Sequence, residues 1–308
     1  MPLSPKLRFK LNRLQNRWAN WKGGLRQTKQ AVTAEQKMCP SCRALVGRDQ
    51  ASCPYCGQRL KVWEASPVGR MASRAMPTIP VTGWLILANF IMFVIEYAAS
   101  GTSIFSNLMA GPSPAATLRL GDSLPLAYVI ASGQYWRWVT ACFLHGGLLH
   151  IGFNMWALYD IGPLVESFYG GTKYLTVYLL TGIFGYIVSG YFGYQSLGAS
   201  GAIFGLLGVM IAYGTRRKHT SAGQQLRSVA VRWAIYALIL AFAIPGVDNA
   251  AHIGGLISGF ALGMVIGDDP PLTESQIARW RIIGGVMLAI LVLSFYLMAT
   301  HPALILRG

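Results

Sequence analysis

Charged side chains are scarce in this chain, 12% of 308 residues, about half of the roughly 25% usual in a soluble domain. With 53% hydrophobic residues and a positive mean hydropathy, that shortage excludes an ordinary soluble enzyme and reads as an all-α polytopic membrane protein. Acidic residues are rarer still, 11 against 26 Lys and Arg. Cysteine is limited to five residues. Four of them stand in two close pairs, which argues against a disulfide-stapled secreted domain and for metal in a reducing compartment. The first 30 residues are basic but lack a continuous apolar core and a cleavage site, so no secretory signal is expected. Pro2 stands where N-myristoylation needs glycine.

What is present begins with the basic excess. Fifteen of the 26 basic residues precede residue 81. That asymmetry suits a cytoplasmic, membrane-proximal N-terminus better than a nucleic-acid binder, and no nucleic acid is expected as a partner. In the basic amphipathic segment 1–36, Leu7, Leu11, Leu14, Trp18 and Trp21 share one helical face flanked by Arg8, Lys10, Arg13 and Arg17. Such a helix either lies on anionic lipid or packs on the domain that follows. Residues 37–62 carry Cys39-Pro40-Ser41-Cys42 and, ten residues on, Cys53-Pro54-Tyr55-Cys56-Gly57. Two Cys-x-x-Cys turns supply the four thiolates of a closed tetrahedral site. A redox dithiol would need a thioredoxin-like context that is missing. The segment resembles the zinc ribbons of many bacterial proteins, which implies a structural zinc and a possible protein partner. Residues 63–80, with Pro67, Pro77 and Pro80, read as a linker.

Apolar spans are predicted near Val81–Ala99, Gly147–Glu166, Lys173–Phe192, Ser200–Tyr213, Ala230–Ile244, Ala251–Gly267 and Ile282–Ala299. The fourth to sixth are short, as suits helices enclosed by other helices. With the N-terminus inside, the inner face receives Lys173, Arg216, Arg217, Lys218, Arg227, Arg232, Arg279 and Arg281. The outer face receives Arg119, Arg137 and Arg307 alone. The C-terminus is then outside, and the loop from about 100 to 145, with Trp136-Arg137-Trp138, is expected to lie half-sunk in the outer leaflet.

Polar groups at membrane depth are costly and mark function by default. Here they are His145, His150 and Asn154 at the start of span two, Ser200 at the start of span four, and His252 at the start of span six. The predicted topology puts all three starts on the outer side. Ser200 lies in Leu197-Gly198-Ala199-Ser200-Gly201-Ala202-Ile203-Phe204-Gly205, where a loop turns into a helix whose N-terminal N–H groups suit a developing oxyanion. It is not the Gly-x-Ser-x-Gly elbow of soluble hydrolases, because Ala202 stands fifth. Taken alone, its small residues are equally the glue of packed membrane helices. Gly201, Gly205 and Gly208 on one helix and Ala251, Gly255 and Gly259 on another would let the backbones approach. Ser200 then comes within reach of His252, and a hydroxyl beside an imidazole is an activated nucleophile. His150 and Asn154, four apart, share a face and can both donate to an oxyanion.

Trp136-Arg137, His145-x4-His150-x3-Asn154, Gly198-x-Ser200-Gly201 and Ala251-His252-x2-Gly255-x3-Gly259 together resemble the motifs of rhomboid intramembrane serine proteases, in the family's order, over roughly residues 80–268. The resemblance implies a six-helix bundle with a short central fourth helix over 81–268. A linker and a seventh, C-terminal transmembrane helix would follow over 269–308. It implies a catalytic Ser200–His252 dyad without a carboxylate member, and an oxyanion hole from His150, Asn154 and the Ser200 N–H. Catalysis would need no cofactor. His145, Arg137 and Glu166 are assigned to structural hydrogen bonds. Phe204 stands where many relatives have tyrosine and is expected to stack on His252, while Cys142 is expected to be a buried small hydrophobe. The expected function is cleavage of transmembrane substrate proteins near the outer face of a bacterial inner membrane. The rival readings are a rhomboid-like pseudoprotease that binds membrane clients, and a zinc-ribbon interaction module on a passive anchor.

Overall fold

The computed structural model describes residues 36–38, 45–47, 52–59, 80–101, 111–267 and 274–300. The chain divides into two compact units, Met1–Thr78 and Ile79–Gly308. In the first, β1 (Gln36–Met38) and β2 (Leu45–Gly47) pair antiparallel, Lys37 opposite Val46. Cys39 and Cys42 fall in the connection between them and lie outside the described residues. So do the predicted N-terminal amphipathic helix and most of the linker. A second turn, Cys53–Cys56, is closed by the Gly57 N–H donating to Cys53 O (2.9 Å) and the Cys53 N–H donating to Gln58 O (2.9 Å). Gly57 has φ +71°, the left-handed conformation glycine tolerates, and Ser52 bridges Arg59 across the turn.

The second unit is helical. α1 (Val81–Ala99) has the bounds its apolar run predicts. The loop from about 100 to 145, which the sequence left without elements, holds among its described residues the short helices α2 (Pro114–Arg119), α3 (Leu126–Ser132) and α4 (Arg137–Thr140), followed by a 3-10 turn at Ala141–Phe143. α5 (Leu148–Tyr191) is 44 residues long, about 66 Å, roughly twice what a hydrocarbon core needs. It is two helices joined at Gly170, whose φ of 75° and ψ of 157° break the helix, between the second and third predicted spans. α6 (Ser200–Arg216), α7 (Ser221–Ala243), α8 (Asn249–Val265) and α9 (Glu274–Thr300) complete the described elements.

Where the bounds move, polar turns extend an apolar core. α7 begins nine residues before the predicted Ala230, because the Thr220 side chain accepts the Gly223 N–H and caps a first turn rich in Gln and Arg. α6 occupies the centre: Gly201 to Met210 are all buried. α7 and α9 instead expose large apolar residues such as Ile235, Ile239, Phe242, Ile282, Val286 and Val292, a surface suited to lipid. Several helices are long and apolar enough to cross a membrane.

Two hydrogen-bond networks brace this bundle. The Glu166 carboxylate accepts the N–H of Val81 (2.7 Å) and of Thr82 (3.0 Å) and the Thr82 hydroxyl (2.7 Å). It thereby satisfies the uncapped start of α1 and ties it to the middle of α5. Arg137, fully buried, donates to Gln134 Oε1 (2.7 Å), Leu118 O and Asp122 O (both 3.0 Å), and pairs with Asp122 Oδ1 at 3.4 Å. Burial pushes the Asp122 carboxyl up, against the opposing pull of Gln195, Arg137 and Thr117. Gln195 Nε2 donates to Asp122 Oδ2 (2.8 Å) and Ser123 exchanges backbone bonds with Ser196. The loop between α1 and α5 is thus stitched to the segment that leads into α6.

Candidate active site

The site forms where α6 and α8 cross, and glycines permit the crossing. A Cβ on Gly255 would overlap Gly201 O, and one on Gly259 would overlap Gly205 O. The close approach of these two backbones sets Ser200 and His252, each at the start of its helix, face to face. Ser200 Oγ lies 2.8 Å from His252 Nε2. Ser200 is half-buried and so within reach of a reactant, whereas His252 is buried. For Nε2 to accept the hydroxyl proton, the neutral ring must carry its hydrogen on Nδ1. Phe204, one turn below Ser200, stacks on the His252 ring with centroids 4.4 Å apart and planes 19° apart, so the missing tyrosine hydroxyl does not cost the stack.

Asp248 caps α8 one turn before His252. Its Oδ1 accepts the Ala251 N–H (3.0 Å) and its Oδ2 accepts the Ser189 hydroxyl. Among the described residues His252 Nδ1 has no hydrogen-bond partner, so no carboxylate orients this ring by direct contact.

On the opposite side of Ser200 stands His150. Its Nδ1 accepts the Gly146 N–H at 3.2 Å, which puts its hydrogen on Nε2. That nitrogen faces Gly198, where a Cβ would lie 2.7 Å from it and 3.6 Å from Ser200 Oγ. Asn154 Nδ2 donates to His150 O at 3.1 Å, spending one of its two hydrogens within the helix and leaving the second. No side chain caps α6, so the first-turn N–H groups beside Ser200 remain unengaged by side chains. Ser200, His252 and His150, on three different helices, are thus brought together here, and Asn154 lies one turn beyond His150 on α5.

The remaining predictions have defined places. The His145 N–H donates to the Glu96 carboxylate (3.1 and 3.0 Å), and its buried ring stands edge-on to His150, centroids 5.1 Å apart. Burial, then the neighbouring His150, hold the His145 imidazole well below its ordinary range and so neutral. Cys142 is fully buried, its thiol donating to Trp138 O at 3.3 Å. Of the four paired N-terminal cysteines, two are described: Cys53 is buried and Cys56 exposed.

Three supporting residues escaped the sequence reading. Tyr186 places its hydroxyl 2.6 Å from Gly198 O and 3.1 Å from Ala141 O, and Ala141 O also accepts the Gly198 N–H at 2.8 Å. Glu96 and Asp248 are the others. A carboxylate in an apolar span and an Asp three residues before a helical run were the available signals.

A half-buried serine bonded to a buried histidine beside a hydrogen-bond donor, within an apolar helical bundle, is an arrangement suited to a membrane hydrolase. Comparison with known proteins agrees. The family described as the rhomboid domain matches residues 132–269. The chain is 32% identical over 242 residues to RHOMBOID-like protein 5 of Arabidopsis thaliana, covering 65% of this chain and 73% of that one. It is 36% identical over 179 residues to rhomboid protease GluP of Bacillus subtilis (strain 168), covering 56% of this chain and 33% of that one. To rhomboid-like protease 2 of Toxoplasma gondii it is 27% identical over 216 residues, covering 69% and 76%. The chain belongs to the rhomboid family, while spanning a third of the length of the Bacillus relative.

Proposed function

We propose that this protein is an intramembrane serine endopeptidase that cleaves transmembrane substrate proteins near the outer membrane face. The observation that carries the reading is the 2.8 Å approach of Ser200 Oγ to His252 Nε2 beside the donor edge of His150. Ser200 Oγ attacks the scissile carbonyl carbon while its proton passes to His252 Nε2. The carbonyl oxygen becomes an oxyanion, stabilised by His150 Nε2–H, the remaining Asn154 N–H and the Ser200 backbone N–H. The imidazolium returns the proton to the departing amine, leaving an acyl-enzyme, and water activated by the same histidine releases the acid. The dyad needs no third member: stacking on Phe204 and the helix itself hold the ring. This arrangement favours hydrolysis over the client-binding pseudoprotease.

Given seven spans, the excess of Lys and Arg on one set of loops supports a cytoplasmic N-terminus and an outer C-terminus, and the membrane is read as a bacterial inner membrane. Cys39, Cys42, Cys53 and Cys56 would hold a structural zinc. The closed Cys53–Cys56 turn with its left-handed Gly57 and the hairpin strands flanking Cys39 and Cys42 fit such a site. The ribbon is read as a docking module for a protein partner.

Reconstituted protein should cleave a transmembrane reporter, and Ser200→Ala and His252→Ala should each abolish that cleavage in a protein that elutes and melts like wild type. Cleavage that survives Ser200→Ala refutes the mechanism.

A further inference from the structure

Glu96 is the sole acidic side chain of α1, and it is completely buried near the helix's end. An apolar residue would fill that place at lower cost, since a buried carboxyl group needs compensating donors. Its oxygens lie 3.1 and 3.0 Å from the backbone nitrogen of His145, which donates to them. The next residue, Gly146, donates its N–H to His150 Nδ1 at 3.2 Å. From the other side, Gly111 presses so closely that a Cβ there would overlap Gly146 O. The 145–146 backbone is therefore clamped between Glu96 and Gly111, and it presents one hydrogen to the ring that faces Ser200.

We propose that Glu96 is a positioning residue: by holding the His145 backbone it keeps the Gly146 N–H on His150 Nδ1, and so keeps the His150 Nε2–H aimed at the carbonyl oxygen over Ser200. An imidazole that accepts at Nδ1 must carry its hydrogen on Nε2. If the loop slips, both tautomers and other ring orientations become accessible, and the oxyanion loses a fixed donor. The kinetic half of this proposal rests on the serine-protease reading; the tautomer half does not.

The test uses the full-length protein in detergent micelles. Imidazole 15N spectra report the His150 tautomer, and a fluorophosphonate probe reports the rate of Ser200 acylation. The proposal expects wild-type His150 to carry its hydrogen on Nε2. Glu96→Leu should mix the tautomers and slow acylation about tenfold to a hundredfold, the scale of a misplaced catalytic group. Glu96→Gln, which retains an acceptor for the His145 N–H, should recover most of the rate. In a His150→Ala background Glu96→Leu should cause no further loss, as expected when one residue acts only through the other. Equal losses with and without His150 would overturn the proposal. So would a wild-type His150 protonated on Nδ1, a result that holds even if Glu96→Leu does not fold. A wild type that is never acylated would count against the protease reading, and the tautomer would still decide the positioning role.

Discussion

Gly198 meets two demands that no other residue meets together. Its φ of 131° is strained for any side chain, and a Cβ would press on His150 Nε2 and Cε1 at 2.7 and 2.8 Å. Gly198→Ala should displace the His150 ring and lower kcat about a hundredfold, with a smaller effect on KM, in steady-state cleavage of a reporter. His145 offers a prediction of a different kind. Unfolded, its imidazole titrates near pH 6.5; folded, burial holds it well lower. Below about pH 6.5 the unfolded chain binds a proton that the folded one does not, so its contribution is complete above that pH and falls as pH drops. Each further pH unit costs up to about 1.4 kcal/mol. Thermal unfolding in detergent should therefore weaken from pH 7 to pH 5, and His145→Asn should flatten that slope. Ser200, His252, His150 and Asn154 could be singled out in the sequence because, although each alone reads as an ordinary structural group, several polar residues fall at one predicted depth within apolar runs. Tyr186 was not, because a tyrosine in an apolar span looks like packing until its hydroxyl is seen on Gly198 O.

At the scale of elements, the α6–α8 crossing carries the site. Its glycine spacing could be read as a close approach of two helices, and the structure adds the register, with Gly201 O opposite Gly255 and Gly205 O opposite Gly259. Gly259→Val should force the helices apart, cost about 1–3 kcal/mol as overpacking does, and reduce cleavage with it. A melting temperature and activity equal to wild type would refute this account of the crossing. Element bounds were less legible than the crossing. Apolar windows find the membrane-crossing portion of a helix and miss its polar turns, as at the start of α7. The short helices between α1 and α5 left no clear period, being set instead by the Arg137–Asp122 network, whose partners are 15 residues apart in sequence.

At the scale of the molecule, the chain joins a small cysteine-bearing unit to a helical unit that holds the whole of the proposed chemistry. If the former is a zinc ribbon, purified protein should carry about one zinc per chain by elemental analysis. Cys53→Ser should lose it and render Met1–Thr78 sensitive to limited proteolysis; a full complement of zinc in that variant would exclude the site. The central claim is that His252 activates Ser200. The most direct measurement is covalent labelling of the folded, detergent-solubilised protein by a fluorophosphonate, comparing wild type with Ser200→Ala and His252→Ala. Labelling of the wild type alone is the predicted result, and equal labelling of all three, or none of a folded wild type, would contradict it.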